Sequence, residues 1–229
     1  MTQLAAESGD FRVIDRVSTG DGEVAGWIAY PDEDLQRASH ALVVDGTVWL
    51  VDPVDRPGLD AFLADLGEVA GVALLLDRHR RDAAAIATRH DVAVHLPAFF
   101  EGVAAELDAP IERFRRQLGS TGYGSHKLVD NRFWQEAALY GEDTGVLLVP
   151  ESVGTIPFFC AGDERLGVHP ARRLTPPRKL ARLEPDHVLV GHGTGIHDDA
   201  PAALHDAIRG ARRRAPRLWA KDLRLLLSR

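Results

Sequence analysis

The sequence predicts an α/β chain with a two-sheet core, and three observations carry that reading. Two short apolar runs, Val72 to Leu76 and Val188 to Val190, have no polar side to turn to solvent, so they fit strands buried on both faces. Between Val72 and Leu96 a strand, a stretch of helical composition and a second strand follow one another, the pattern of a βαβ unit with a right-handed crossover. Two pairs of strand-like runs precede that unit, each pair divided by a turn signal, and read as hairpins.

In chain order, Phe11 to Val17 and Glu23 to Tyr30 flank the turn sequence STGDG. Ala41 to Val44 and Val48 to Val51 flank Asp45-Gly46, a strong two-residue hairpin signal, and Asp52-Pro53 ends the second strand, with Asp52 read as a loop cap. Leu59 to Leu66 reads as a short amphipathic helix ended near Gly67, and DAAAIATRH from Asp82 as a helix. Val92 to Leu96 is a strand stopped by Pro97, and residues 98 to 110 stay unassigned. Ile111 to Leu118 reads as a strand entering GSTGYGSH, a flexible glycine-rich loop without the G-K-[ST] of a phosphate loop. Lys127 to Tyr140 and Gly145 to Pro150 give strand, turn, strand. Residues 154 to 180, rich in Pro, Gly and Arg, are too long for a simple connection and suit a flap. Pro201 to Arg209 is a helix, and the tail from about 211 to 229 reads as a basic amphipathic helix with Trp219, Leu223 and Leu226 on one stripe.

Composition narrows the functions. The 229 residues, 45% hydrophobic, support a sizeable core, read as one domain over residues 1–229. Twenty-seven basic against 34 acidic residues leave a net charge of −7, which argues against a nucleic-acid partner. Cys160 is the only cysteine, so no disulfide or CxxC site forms, and it reads as buried and inert in a reducing compartment. MTQLAAESGDF lacks a secretory pattern and no 18 apolar residues run together, so a cytoplasmic location is expected. A lone basic helix on an acidic chain is a weak membrane anchor, so the tail is expected to pack on the body or on a second copy, as in a homodimer.

Polar residues at the ends of buried strands are the candidates for chemistry. VALLLDRHRRDA, residues 72 to 83, breaks from an apolar run into charge, and VLVGHGTG ends a second run at His192, whose flanking glycines imply close backbone approach or unusual dihedrals. Glu151 directly follows the buried run VLLVP. Ser120 and Ser152 lack a G-x-S-x-G context, which argues against a serine hydrolase, and no partner is legible for His126, His169, His187 or His197.

The 72–83 loop, the GHG turn and the opening LVVDGTVWLVDPV resemble the metallo-β-lactamase superfamily, which carries an H-x-H-x-D-H loop after an early strand and a G-H-G-like turn after a late one. The resemblance implies an αββα four-layer sandwich. With Asp82 on the family's aspartate, Arg78 and Arg80 fall on the first two histidine positions, Ala83 on the third and His79 on a spacer; Arg132 falls on a later histidine position and Glu151 on the bridging aspartate. A guanidinium has no lone pair for a metal, so the family's first metal position is expected to be lost. Asp82, Glu151 and His192, with His79 or water, are then the ligands for one divalent ion (zinc, iron or manganese) or for none, and a dinuclear centre is not expected. Asp82 and His192 are the catalytic candidates, and Arg78, Arg80 and Arg132 the anion-binding ones, with Arg78 or Arg80 expected beside Asp82 or Glu151. Two functions stay open: a hydrolase-like enzyme with one metal or none, or a non-catalytic relative that binds a small anionic ligand or a protein partner.

Overall fold

The computed structural model describes residues 12–20 and 22–227, with side chains as far as Arg224. Phe11 and Asp21 of the first hairpin, and the side chain of Leu226, lie outside the described residues. The first hairpin is β1 (Arg12–Thr19) and β2 (Gly22–Ile28), and the second is β3 (Ala38–Val44) and β4 (Thr47–Val51). Asp45 and Gly46 both take positive φ, 49° and 76°, which the tight turn needs and which Asp and Gly tolerate. The helix α1 (Leu59–Leu66) leads into β5 (Glu68–Ala73), which starts four residues earlier than its apolar run suggests. Then come α2 (Ala83–Arg89), β6 (Val94–Pro97) and β7 (Ile111–Phe114), with a 3-10 turn at Val103–Glu106 in the unassigned stretch.

These seven strands form one sheet in sequence order, antiparallel from β1 to β4 and parallel from β4 to β7. A second sheet of β8 (Tyr123–Asn131), β9 (Trp134–Gly141), β10 (Val146–Val149) and β13 (His187–Val190) is ordered β13-β10-β9-β8. The expected glycine loop is thus shorter than its composition suggests, because Tyr123 to His126 pair with β9. Val17, Leu42, Leu75, Leu139, Leu148 and Leu189 meet between the sheets. Leu59 and Leu63 of α1 and Ile86 of α2 cover the outer face of the first sheet. The long helix α3 (Ala200–Leu227) covers the outer face of the second. The order is helix, sheet, sheet, helix.

The two expected C-terminal helices are one, with Pro216 inside it. Leu204, Ala207, Ile208, Ala211, Ala215 and Leu218 are buried at helical spacing on both sides of that proline, so packing outweighs the roughly 3 kcal/mol such a residue costs a helix. Trp219 and Leu223, expected on the packing stripe, are instead exposed by 42% and 56%. No helix among the described residues is long and apolar enough to cross a membrane.

Residues 153–180 are ordered by β11 (Val153–Gly154) pairing with β12 (Gly167–Val168) and by a buried ion pair. Arg173 and Glu164, both with fully buried side chains, meet at 2.6 Å, and Arg173 also donates to the carbonyls of Val168 and Phe159. Arg214 of α3 reaches the same carboxylate at 3.1 Å, tying the segment to the helix. Removing one member of a buried pair leaves an uncompensated charge, at a cost of about 3–5 kcal/mol. Because Arg214 keeps part of the compensation, Arg173→Ala is expected to lower unfolding stability by about 3 kcal/mol in urea titration; an unchanged midpoint would show that the segment is held by something else.

Candidate metal centre

The ends of β4, β5, β10, β12 and β13 come to one edge of the sandwich. After β5 the chain stays extended but leaves its sheet: Leu76 bridges Glu136, Ala137 N–H donates to Leu75 O at 2.8 Å, and Asp77 exchanges hydrogen bonds with Gln135. The loop that follows therefore lies between the sheets, and its side chains alternate. His79 is 8% exposed, whereas Arg78 and Arg80 have side chains 40% and 41% exposed.

A ring nitrogen of His79, a Glu151 oxygen and a His192 ring nitrogen lie within 4.8 Å of one another. His79 Nδ1 faces Asp52 Oδ2 at 3.2 Å, and Nε2 faces Glu151 Oε2 at 3.4 Å. A carboxylate only accepts, so Nδ1 carries a proton, and Asp52 is in turn held by Leu75 N–H at 3.0 Å. His192 Nδ1 donates to Leu35 O at 2.9 Å, which leaves its Nε2 as the lone-pair nitrogen. Gly191 lets the GHG turn pass against the backbone of Pro150, and Gly193 has φ 96°, so each glycine is needed for a different reason. Phe159 stacks on the His192 ring with centroids 5.5 Å apart.

Glu151 is held from its other side as well. Arg78 Nη2 is 3.4 Å from Oε1, and His169 Nε2 is 3.4 Å from the same oxygen. His169 Nδ1 accepts the Ala171 N–H, which places its ring proton on Nε2, toward Glu151. Burial alone would push the Glu151 carboxyl up, but the hydrogen bond from His79 and the charges of His79 and Arg78 bring it down to about 2. Burial keeps His192 and His169 neutral, each down to about 4. Behind Glu151, the fully buried Glu136 accepts from Ser152 Oγ (2.5 Å), Ser152 N (2.7 Å), Glu151 N (3.0 Å) and Trp134 Nε1 (3.0 Å). Burial pushes its carboxyl up.

The sequence candidates are dispersed by this geometry. Asp82 is not brought to the group: its carboxylate accepts the Asp55 N–H at 2.8 Å beside a separate surface groove with Arg56 and Arg89. Arg80 pairs with Glu106, and Arg132 lies on the exposed β8–β9 turn over Phe133. Arg78 does reach Glu151, as expected. The inward arginine is Arg81, which sequence reasoning missed. Its guanidinium donates to the carbonyls of Ala38 (2.7 Å), Asp52 (2.6 Å) and Gly191 (3.4 Å), at an unusual φ of 43°. Burial lowers its pKa to about 10, so it remains charged at neutral pH. Asp52, His169 and Glu136 were missed too; the signal for Glu136 is an acid inside the apolar strand EAALY.

No family model and no curated protein sequence matches the chain. Among solved structures, it is similar to DIM-1 metallo-β-lactamase, with 12% identity and TM-score 0.56 over 90% of this chain and 99% of that one. It is also similar to a flavo di-iron protein from Thermotoga maritima, with 13% identity and TM-score 0.62 over 87% of this chain and 62% of that one. A third is the chemotaxis sensor ODP from T. denticola, with 11% identity and TM-score 0.59 over 88% and 95%. The chain has the metallo-β-lactamase fold.

The buried histidines set a pH window for the metal-free protein. His40, His169 and His192 are each lowered by burial to about 4 from an ordinary 6.5. Between those values the unfolded chain takes up protons that the native one refuses, so stability falls as pH drops from 6.5 to 4. Below that range the depressed Glu151 continues the loss as pH falls toward its value of about 2. Thermal melts between pH 7 and pH 4 should show the fall, and His40→Leu should flatten it by roughly a third. A melting temperature that stays level across this range would mean that the rings are solvated.

Proposed function

We propose that the chain is a hydrolase-like protein of this fold that holds one divalent ion, zinc or iron, at His79, Glu151 and His192. The observation that carries the reading is the His79 ring, whose two nitrogens each face a carboxylate. With one ring proton, on the Asp52 side, the Nε2 lone pair points at Glu151, and either a metal ion between them or a second ring proton makes that arrangement favourable. Ligand bonds of about 2.1 Å in a tetrahedral site set neighbouring ligand atoms about 3.4 Å apart, which matches the 3.4 Å between His79 Nε2 and Glu151 Oε2. Asp52 fits the outer carboxylate that commonly orients a metal-binding imidazole.

Two imidazoles and one carboxylate leave positions open, as in zinc hydrolases and in non-haem iron sites. A bound ion would supply Lewis acidity toward a water or a substrate oxygen. The chain's own residues prepare the donors: Leu35 O fixes the His192 tautomer, and His169 and Arg78 hold Oε1 of Glu151 and keep the carboxylate ionised. Arg81 supports one ion rather than two, because it brings a fixed positive charge to bear on Asp52 and Glu151, the carboxylates a second ion would need.

A second reading is favoured by the same arginines. With a proton on both His79 nitrogens, the cluster of His79, Arg78, Arg81, Asp52 and Glu151 is stable without metal, and the chain would be a non-catalytic relative that binds a ligand or partner. Elemental analysis separates the two. We expect on the order of one equivalent of zinc or iron in the wild type, nearly none in His79→Ala or His192→Ala, and no change in Asp82→Asn. No uptake after incubation of the wild type with zinc would favour the metal-free reading, and two equivalents would overturn the role given to Arg81.

A further inference from the structure

Several arginine side chains among the described residues are paired with carboxylates. Arg16, Arg37 and Arg173 each sit on one carboxylate, and Arg78, Arg89 and Arg214 on two. Arg172 is different. It closes the 3-10 turn Pro170–Arg172 directly after His169, and among the described residues its side chain makes one long hydrogen bond, from Nη1 to Thr175 Oγ1 at 3.5 Å. Its Nε is buried with no partner. Burial lowers the Arg172 pKa and only the charge of Glu136 acts against it, without an ion pair, so a partly desolvated guanidinium is left with spare donors, and its planar fork fits a carboxylate or phosphate.

The group it faces belongs to the centre described above. The Arg172 guanidinium lies 5.9 Å from the Trp134 ring centroid, and Arg78 lies 4.4 Å from the same ring. The indole is fixed by its hydrogen bond to Glu136, and it packs edge-on against His169, with centroids 4.9 Å apart, whose Nε2 faces Glu151. Phe158, 39% exposed, packs on His169 from another side. A cation with spare donors, a fixed indole and an exposed phenyl ring therefore border the same histidine.

We propose that Arg172 binds the anionic group, a carboxylate or a phosphate, of a small organic molecule whose apolar part rests on Trp134 and Phe158 beside the metal centre. The inference rests on the preceding reading for the chemistry of that molecule, but not for its anchoring. Arg78 contributes less, because Glu151 and Asp77 already compete for its charge. The matching anion is a small one, since a net charge of −7 disfavours an extended polyanion.

The test is calorimetric titration of the zinc-incubated protein with phenyl phosphate and with benzoate, which carry the two anionic groups on one aromatic body, and with each sample's zinc content measured. One of the two should bind, and Arg172→Met should weaken it about tenfold or more, as expected for loss of a charge-assisted hydrogen bond. Arg172→Lys, which keeps the charge but not the fork, should fall between, and Arg178→Met, an exposed arginine on the same segment, should match the wild type. Binding of neither probe, or equal binding by folded Arg172→Met and wild type, would overturn the inference even with zinc in place. Binding that depends on Arg172 in a protein that takes up no zinc would sustain the inference while the metal reading fails.

Discussion

The edge of the sandwich depends on one imidazole held between two carboxylates. Asp52 ends a strand of the first sheet, Glu151 follows a strand of the second, and His79 meets both, at 3.2 and 3.4 Å. The chain reaches that position because residues 75 to 77 leave the first sheet and pair with β9 of the second. Two residues beside the clamp, Asp52 and Arg81, hold left-handed backbone angles, φ 46° and 43°. Such angles persist only where surrounding bonds over-determine them. Here the surrounding bonds are the Leu75 amide on the Asp52 side chain and three carbonyls on Arg81.

Charge explains why the cluster can tolerate so many acids at close range. Asp52, Glu136 and Glu151 are all largely buried, and each is handled differently. Asp52 and Glu151 keep cationic or protonated neighbours, whereas Glu136 is surrounded by neutral donors and has its carboxyl pushed up by burial. Arg81 balances the ionised pair at longer range, its guanidinium bound to carbonyl oxygens rather than to a carboxylate. A guanidinium on carbonyl dipoles stays cationic without closing off the carboxylate oxygens, which leaves Glu151 Oε2 directed at His79.

Much of the fold was legible in the sequence because its signals are local. The Asp45-Gly46 turn, the Leu59–Leu66 helix and the buried β10 and β13 runs follow from turn chemistry and apolar periodicity alone. The site was legible in its late half, where a strand end delivers Glu151 and paired glycines deliver His192. The early half failed on register. Matching the only downstream aspartate, Asp82, to a motif put Arg78 and Arg80 inward, but the extended chain past Leu76 alternates, so Asp77, His79 and Arg81 turn in. Continuing the period of the strand into the loop turns His79, which the sequence offered only as a supplementary ligand, inward. His169 had no local signal, since its approach to Glu151 depends on the packing of residues 153–180.

How far the residues at the strand ends can vary without loss of the fold follows from where the stability lies. In chains too small for a core, metal binding supplies the folding free energy and the ligands cannot drift. Here three apolar clusters, between the sheets and under the helices on each outer face, form without any contribution from Asp52, His79, Glu151 or His192. The segment that supplies His169 is anchored by Arg173, Glu164 and Arg214, a buried group distinct from the ligand cluster. Loops at the ends of such strands can vary without unfolding the core, provided each change keeps the local charge compensated. Arg81 meets that condition as a fixed cation beside two carboxylates, and it does so at a backbone angle that only a well-supported scaffold can impose.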